Sequence, residues 1–169
     1  MKPDMAEPLG LKEQLENTLN GATLVLPGIQ ALFGFQFIAI FQPTFAKDLT
    51  PAERTMHFVS IVLSSVAIVL TITPASLHRS AEPERASHRL IKLSGKLLSA
   101  GLWVLAVGVA LDFRVLARLV YRDDPNLAWG VAFAILLLYL GFWKGLPLLF
   151  KKTKGASEEP PEELKTSGG

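Results

Sequence analysis

The sequence contains no cysteine. Without thiolates the chain cannot form disulfides, iron–sulfur clusters or cysteine-ligated zinc sites, and it has no cysteine nucleophile. The motifs of common enzymes are also missing, since it has no nucleophile elbow, no phosphate-binding loop and no HExxH sequence. The three histidines, His57, His78 and His88, are too scattered to indicate a haem site between helices. We therefore predict a protein that is not an enzyme and that binds no cofactor or metal.

Charge is scarce and unevenly distributed. Asp, Glu, Lys and Arg make up 19% of the 169 residues, against about 25% in an ordinary soluble domain. Four long stretches lack all four residue types: 17–46, 55–78, 97–111 and 125–143. A helix needs about 20 apolar residues to cross the hydrocarbon core of a bilayer. Three stretches approach or exceed that length, and the third requires its flanking residues as well.

These stretches predict an all-α integral membrane protein in which four helices form a bundle. Hydrocarbon offers no partner for backbone N–H and C=O groups, so a segment that crosses it must be helical. The bundle is predicted to occupy residues 22–150. The predicted spans are about 22–42, 56–76, 94–120 and 127–150.

The two ends of the chain differ from the bundle in composition. In the N-terminal segment, 1–21, Leu11, Leu15 and Leu19 recur every four residues, which is typical of a short amphipathic interfacial helix. An extension of the first span is the alternative interpretation. The tail, 151–169, is rich in Glu, Pro, Ser and Gly, and we predict that it is disordered.

The distribution of Lys and Arg predicts the orientation. The N-terminus, the loop between the second and third spans and the C-terminus together carry twelve of them, against five on the other side. Because positive residues are retained in the cytoplasm, both termini are predicted to be cytoplasmic. The middle loop is predicted to contact anionic lipid head groups and not nucleic acid, because it is short and tethered to the membrane. Its basic residues are Arg79, Arg85, Arg89, Lys92 and Lys96.

The second span carries a polar stripe. Its residues follow alternating steps of three and four, which places them on one helical face. We favour a packing seam, because small residues let neighbouring backbones approach and hydroxyls bond between helices. The alternative is a polar lining for water or an ion. The stripe comprises His57, Ser60, Ser64, Ala67, Thr71, Pro74 and His78.

The third and fourth spans carry small-residue seams of the kind that brings membrane helices together. Gly101 and Gly108 lie on one side of the third span, together with Ser94 and Asp112. These seams serve either the bundle itself or a homo-oligomer, and the sequence does not distinguish the two. The seam of the fourth span comprises Gly130, Ala134, Gly141 and Gly145.

Ionisable residues inside lipid cost roughly 3 kcal/mol and tend to be functional, and the predicted spans contain two candidates for such a role. His57 opens the second span and Asp112 lies near the outer end of the third, so the two can form a pair. Such a pair is suited to relay a proton near neutral pH. We favour the interpretation in which Asp112 simply meets Arg114, Arg118 or water at the interface. Transporters usually keep their ionisable site near mid-membrane, and the absence of charge there disfavours an antiporter.

Gln30 and Gln36 are the polar residues of the first span that we expect to be buried. They are six residues apart, about 240° around the helix axis, so both cannot face one pore. Each is expected to bond a neighbouring helix. A cation-coordinating role for Gln30 in a polar lining is the alternative.

Two segments resemble the signatures of a known family. The sequence L-P-G-I-Q-A-L-F-G-F at 26–35 is similar to a family L-P-G-x-Q-x-L-F-x-F motif, and T-P-A-S-L-H-R at 73–79 resembles its second-helix ending. The family comprises small bacterial four-span membrane proteins of unknown function, some of them labelled sodium:proton antiporters. Phe41-Gln42-Pro43 departs from the family's usual proline-phenylalanine step. The resemblance implies the same topology, in a bacterial inner membrane.

These observations favour an accessory, interaction or scaffold protein of the inner membrane, working with an unknown membrane partner or as a homo-oligomer. The alternative is a small ion channel or proton-coupled transporter that uses the polar stripe of the second span. In that alternative His57, Ser60, Ser64, Thr71, Asp112 and Gln30 form the polar lining or proton relay.

Overall fold

The computed structural model describes residues 10–81, 87–122 and 124–145, and all regular structure within them is helical. Four helical segments are long and apolar enough to cross a membrane. This confirms the predicted all-α, four-helix membrane bundle. The elements are α1 (Leu11–Ile40), α2 (Pro43–Asp48), α3 (Pro51–Ala81), α4 (His88–Val120), α5 (Pro125–Leu140) and a π-helical turn (Gly141–Gly145).

The first helix begins well before the first predicted span. Leu11, Leu15 and Leu19 belong to α1 and continue without a break into the span. A separate interfacial helix is therefore not formed, and the alternative, an extension of the span, describes the structure. Pro27 consequently lies in the middle of α1 and not in its first turns. The predicted disordered tail lies outside the described residues.

One narrow stripe of α1 packs against the other helices. Its buried residues, Leu15, Ala22, Ile29 and Gln36, are spaced by seven. A seven-residue repeat keeps one seam facing the partner when helices cross at a shallow angle. Gln30 is exposed, because one residue turns the helix by about 100° away from Ile29. The expectation that Gln30 is buried is therefore wrong, and the alternative of a cation-coordinating role stays a prediction.

The helices α3 and α4 make the most extensive contact in the bundle. A Cβ atom at Gly101 would lie 3.2 Å from Thr71 Oγ1 and 3.3 Å from the carbonyl oxygen of Ala67. One at Gly108 would lie 3.3 Å from Leu63 Cβ. Because no larger residue fits without displacing α3, glycine sets the distance between the two backbones. Both glycines of the predicted seam thus lie at the contact with α3.

The polar stripe of α3 faces this seam. Ser60 and Ser64 are completely buried, and Thr71 is 3% exposed. The Thr71 hydroxyl donates to the carbonyl of Ala67 in its own helix, at 2.7 Å. The stripe is thus covered by α4, as the packing interpretation expects. It is not a continuous lining for water or an ion.

The small residues of the fourth span do not face the bundle. No atom of the described residues lies within 4 Å of a Cβ atom built at Gly130, Gly141 or Gly145, and Ala134 is exposed. The buried residues of α5 are instead Ala128 and Ala132. They lie on another face, since the two residues from Ala128 to Gly130 turn a helix by about 200°. The predicted seam is wrong for packing within the chain, and its part in a homo-oligomer stays a prediction.

A short helix, α2, joins the first two spans and was not predicted. It begins at Pro43, whose missing N–H is not needed in the first helical turn. The Arg54 side chain donates to the carbonyls of Ala46 and Leu49 at the other end of α2. These bonds supply partners for carbonyls that the end of a short helix leaves free.

Candidate functional site

Four polar side chains meet between α1, α3 and α4 and form what we call the polar cluster: Gln36, His57, Ser60 and Asp112. The first three are 4%, 7% and 0% exposed, and the side chain of Asp112 is 20% exposed. His57 lies six residues into α3, roughly 13 Å along the axis from the middle of that helix. The hydrocarbon core extends about 15 Å from its centre. With α3 centred in the bilayer, the polar cluster lies near the edge of the hydrocarbon.

The His57 ring lies between two acceptors. Its Nδ1 is 3.0 Å from Asp112 Oδ1, and its Nε2 is 2.9 Å from the carbonyl oxygen of Gln36. Neutral imidazole has one donor nitrogen, whereas imidazolium has two. Because both partners are acceptors, the geometry favours the imidazolium form, paired with the Asp112 carboxylate. The pair that the sequence allowed is thus present, while its role as a proton relay stays a prediction.

The Gln36 side chain connects the other members of the cluster. Its Nε2 donates to Ser60 Oγ at 2.8 Å and also to Asp112 Oδ2. The Ser60 hydroxyl in turn donates to the carbonyl of Gly108 at 2.8 Å. Gln36 Oε1 is buried and has no hydrogen-bond partner among the described residues. The Gln36 amide is therefore held in place by the two hydrogen bonds that its Nε2 donates. Its Oε1 accepts none from the described residues.

The arginines near Asp112 have other partners. Arg114 lies over the Trp129 ring, 4.6 Å from its centroid, and Arg118 pairs with Glu53 at 3.1 Å. Among the described residues Asp112 pairs with neither arginine, contrary to the favoured interpretation, while its contact with water stays a prediction. Asp112 instead takes its hydrogen bonds from His57 and Gln36.

Polar contacts hold α2 and the start of α3 against the end of α4. Glu53 pairs with Arg118, and Asp48 lies 3.3 Å from Arg122. The Glu53 carboxylate also accepts from the backbone N–H of Thr50, whose hydroxyl accepts from the N–H of Glu53. This reciprocal pair is a capping box, which starts α3 directly after α2. The contacts position α2 beside the polar cluster, where the Phe45 ring meets His57 edge to face.

An apolar cleft of about 290 Å³ adjoins the polar cluster. Gln36, His57 and Asp112 are among its lining residues. Phe35 and Leu116, which also line it, are 70% and 54% exposed, so the cleft opens on the apolar flank between α1 and α4. Its other lining residues include Leu32, Ala39, Phe45, Leu49, Phe113 and Leu119.

The predicted lipid-contacting residues lie at the opposite end of the bundle. Arg79, Arg89, Lys92 and Lys96 are all exposed, and Arg85 lies outside the described residues. Exposed cations at a helix end are suited to anionic head groups. Their contact with lipid stays a prediction.

The described bundle is that of a multi-span helical membrane protein with a polar cluster beside a lipid-facing cleft. The chain belongs to a family of unknown function, DUF6328, which it matches over residues 11–147. This finding agrees with the resemblance to a family of unknown function, and it assigns no activity. Neither the curated proteins nor the solved structures contain a match to the chain.

The candidate site includes two features that sequence reasoning did not assign to it: the Gln36 side chain and the cleft. Gln36 was expected to bond a neighbouring helix, but not to join His57 and Asp112. Its spacing of seven from Ile29 and fourteen from Ala22 was a usable signal, because it places the amide on the buried stripe of α1. The cleft had no comparable signal, since it depends on how far α1 lies from α4.

Proposed function

We propose that this chain is an accessory protein of the bacterial inner membrane that binds a lipophilic small molecule in the cleft. It acts by binding and not by catalysis, without a cofactor or metal. The observation that carries this proposal is the apolar cleft that opens toward lipid and ends on the polar cluster. Small-molecule sites commonly combine an apolar lining with a few convergent polar groups.

The composition of the cleft selects the kind of molecule. Its lining is mainly aliphatic and aromatic, and its exposed rim residues, Phe35 and Leu116, lie on a surface that faces lipid in a membrane. A molecule dissolved in the bilayer can enter from the side without first crossing water. The volume of about 290 Å³ is close to the lower end of the roughly 300–1,000 Å³ range of ligand pockets. A ring with a short apolar chain suits this space.

The proposed orientation has both termini in the cytoplasm, because Lys and Arg are concentrated on that side. In this orientation the cleft lies in the outer half of the membrane. The exposed cations Arg79, Arg89, Lys92 and Lys96 then lie at the cytoplasmic surface, where they bind anionic lipid head groups.

We do not extend the proposal to a channel or to proton-coupled exchange. The 3.0 Å contact between His57 and Asp112 favours a local proton relay. However, Ser60, Ser64 and Thr71 are covered by α4, so no polar path leads from that pair along the stripe. Binding requires only the cleft, whereas transport requires a route through the seam.

A photoreactive alkyl-substituted aryl diazirine tests this proposal on the purified protein in lipid nanodiscs. We expect peptide mass spectrometry to find Phe35 and Leu116 labelled more strongly than Phe37, which is exposed to lipid but does not line the cleft. The substitution Ala39→Phe fills the cleft and should reduce this labelling by about fivefold or more, since it removes the space for the ring.

The matched control is Ala31→Phe, an exposed position on the same helix that does not line the cleft. It should leave the labelling pattern unchanged. Equal labelling of Phe35, Leu116 and Phe37, insensitive to Ala39→Phe, would show that the cleft holds no ligand and would overturn the proposal.

A further inference from the structure

The hydrogen bonds of the polar cluster use every donor that it contains. The two ring nitrogens of imidazolium His57 donate to Asp112 and to the carbonyl of Gln36. Both hydrogens of Gln36 Nε2 are used, one by Ser60 and one by Asp112. The Ser60 hydroxyl donates to Gly108. A ligand therefore finds no free donor in this cluster.

The polar cluster does, in contrast, keep hydrogen-bond acceptors that no donor uses among the described residues. A carboxylate offers about four lone-pair positions, and the described residues supply Asp112 with two donors, from His57 and Gln36. Gln36 Oε1 accepts no bond from the described residues and is buried in a side chain that is 4% exposed. Of these acceptors the Asp112 side chain is the more accessible, at 20% exposure, and it lines the cleft. Gln42 and Thr44 also line the cleft and are polar, but both are exposed. At the buried end of the cleft, beside Asp112, the ligand that complements the lining donates a hydrogen bond.

The charge balance of the cluster determines the charge of the ligand. Imidazolium His57 and carboxylate Asp112 neutralise each other at 3.0 Å. The other side chains that line the cleft are uncharged. An ionised ligand would leave water for an apolar cleft without a compensating charge, which is strongly unfavourable. A neutral donor avoids this cost.

We propose that the ligand is an uncharged lipophilic alcohol or phenol whose hydroxyl donates to Asp112 while its apolar part fills the cleft. This inference rests on the proposed function and deepens it by naming the ligand class. The depth of the cluster supports it, because the hydroxyl of an amphiphile also lies at the edge of the hydrocarbon core. Phe35, Phe45 and Phe113 line the same cleft and are suited to pack against a phenol ring.

Three probes of equal length test the ligand class: a diazirine-bearing alkylphenol, its methyl ether and the corresponding alkylammonium. Each is photolysed with the purified protein in nanodiscs, and labelling of Phe35 and Leu116 is titrated against probe concentration. The phenol should bind about tenfold more tightly than the ether, which is the effect of one hydrogen bond to a charged acceptor. The ammonium should bind more weakly than the phenol.

The substitution Gln36→Met keeps the size of the side chain and removes its amide. It should lower the preference for phenol over ether severalfold, because Asp112 loses a positioning donor. The variant Gln30→Met, at an exposed position of α1, should keep the full preference and serves as the control. Ala39→Phe should prevent labelling by the phenol and by its ether alike.

Equal binding of phenol and ether, both blocked by Ala39→Phe, would overturn the ligand class and leave the proposed function in place. Stronger binding of the ammonium would likewise overturn the assignment of a neutral ligand. Failure of all three probes to label the cleft would overturn both proposals together.

Discussion

The two ends of the α3 stripe use polar side chains in different ways. Around Thr71 and Gly101 the hydroxyl bonds its own helix, and α4 lies so close that a Cβ atom at Gly101 would crowd Thr71 and the Ala67 carbonyl. Around His57 and Asp112 the polar groups bond across three helices and border an open cleft. The same helical face is thus a structural seam in one half and a site in the other. What differs is whether a neighbouring helix covers the polar groups or leaves space beside them.

The largest loss of stability is expected from Gly108→Leu in the seam between α3 and α4. A Cβ atom at Gly108 would lie only 3.3 Å from Leu63 Cβ and 3.4 Å from the carbonyl oxygen of Ser60. The larger side chain must separate α3 from α4, which should lower the free energy of unfolding by about 3 kcal/mol. Unfolding in mixed micelles by titration with sodium dodecyl sulfate measures this value.

The matched control for that substitution is Gly130→Leu in α5, where no described residue has an atom within 4 Å of a built Cβ. This substitution should lower the free energy of unfolding by less than about 1 kcal/mol, since leucine is a better helix former than glycine. Similar losses at Gly108 and Gly130 would show that the α3–α4 seam is not the tight contact described here.

A smaller change in the free energy of unfolding is expected when the contact between His57 and Asp112 is removed. A double-mutant cycle with His57→Ala and Asp112→Asn should give a coupling energy of about 1–2 kcal/mol, near the upper end of polar pairs between membrane helices. The pair formed by Asp48 and Arg122 is the comparison, because its side chains are 27% and 66% exposed. That exposed pair should couple by about 0.5 kcal/mol or less. Equal coupling in both pairs would contradict the description of a buried cluster.

Two serines that are equally buried provide the last comparison, and the smallest effect is expected at Ser64. Ser60→Ala removes a donor to Gly108 and an acceptor for Gln36, and should cost about 1–2 kcal/mol. Ser64 Oγ has no hydrogen-bond partner among the described residues, so Ser64→Ala should be neutral within about 0.5 kcal/mol or slightly stabilising. The same unfolding titration compares them. A larger loss at Ser64 than at Ser60 would place the functional hydroxyl in the seam and not in the polar cluster.

Much of the architecture follows from the sequence, and particular residues show where prediction ends. Gly101 and Gly108 were selected as packing residues because small side chains at helical spacing permit close approach. The same reasoning did not hold for packing within the chain at Gly130 in α5 and at Gly141 in the π-helical turn, where no atom of the described residues lies within 4 Å of a built Cβ. Periodicity identifies which residues share a face. It does not identify which face meets another helix.

The candidate site shows the same limit. His57 and Asp112 were paired on the basis of their depth in the membrane, which chain position alone predicts. Gln36, the third member, comes from α1, and its contact depends on how that helix crosses α3 and α4. The apolar cleft depends in addition on α2, a short helix in a segment where no helix was predicted. Neither the Gln36 contact nor the cleft can be predicted from the spacing of residues within one helix.

The sequence by itself determined that this protein crosses the membrane four times, because hydrocarbon excludes charge and requires every backbone polar group to be bonded within a helix. It also determined which residues lie at the same depth. Only the tertiary structure decided which polar groups are covered and which border a cleft, because that depends on the distances and angles between helices. Side-chain packing among all the helices sets those distances, and no single stretch of the chain encodes them.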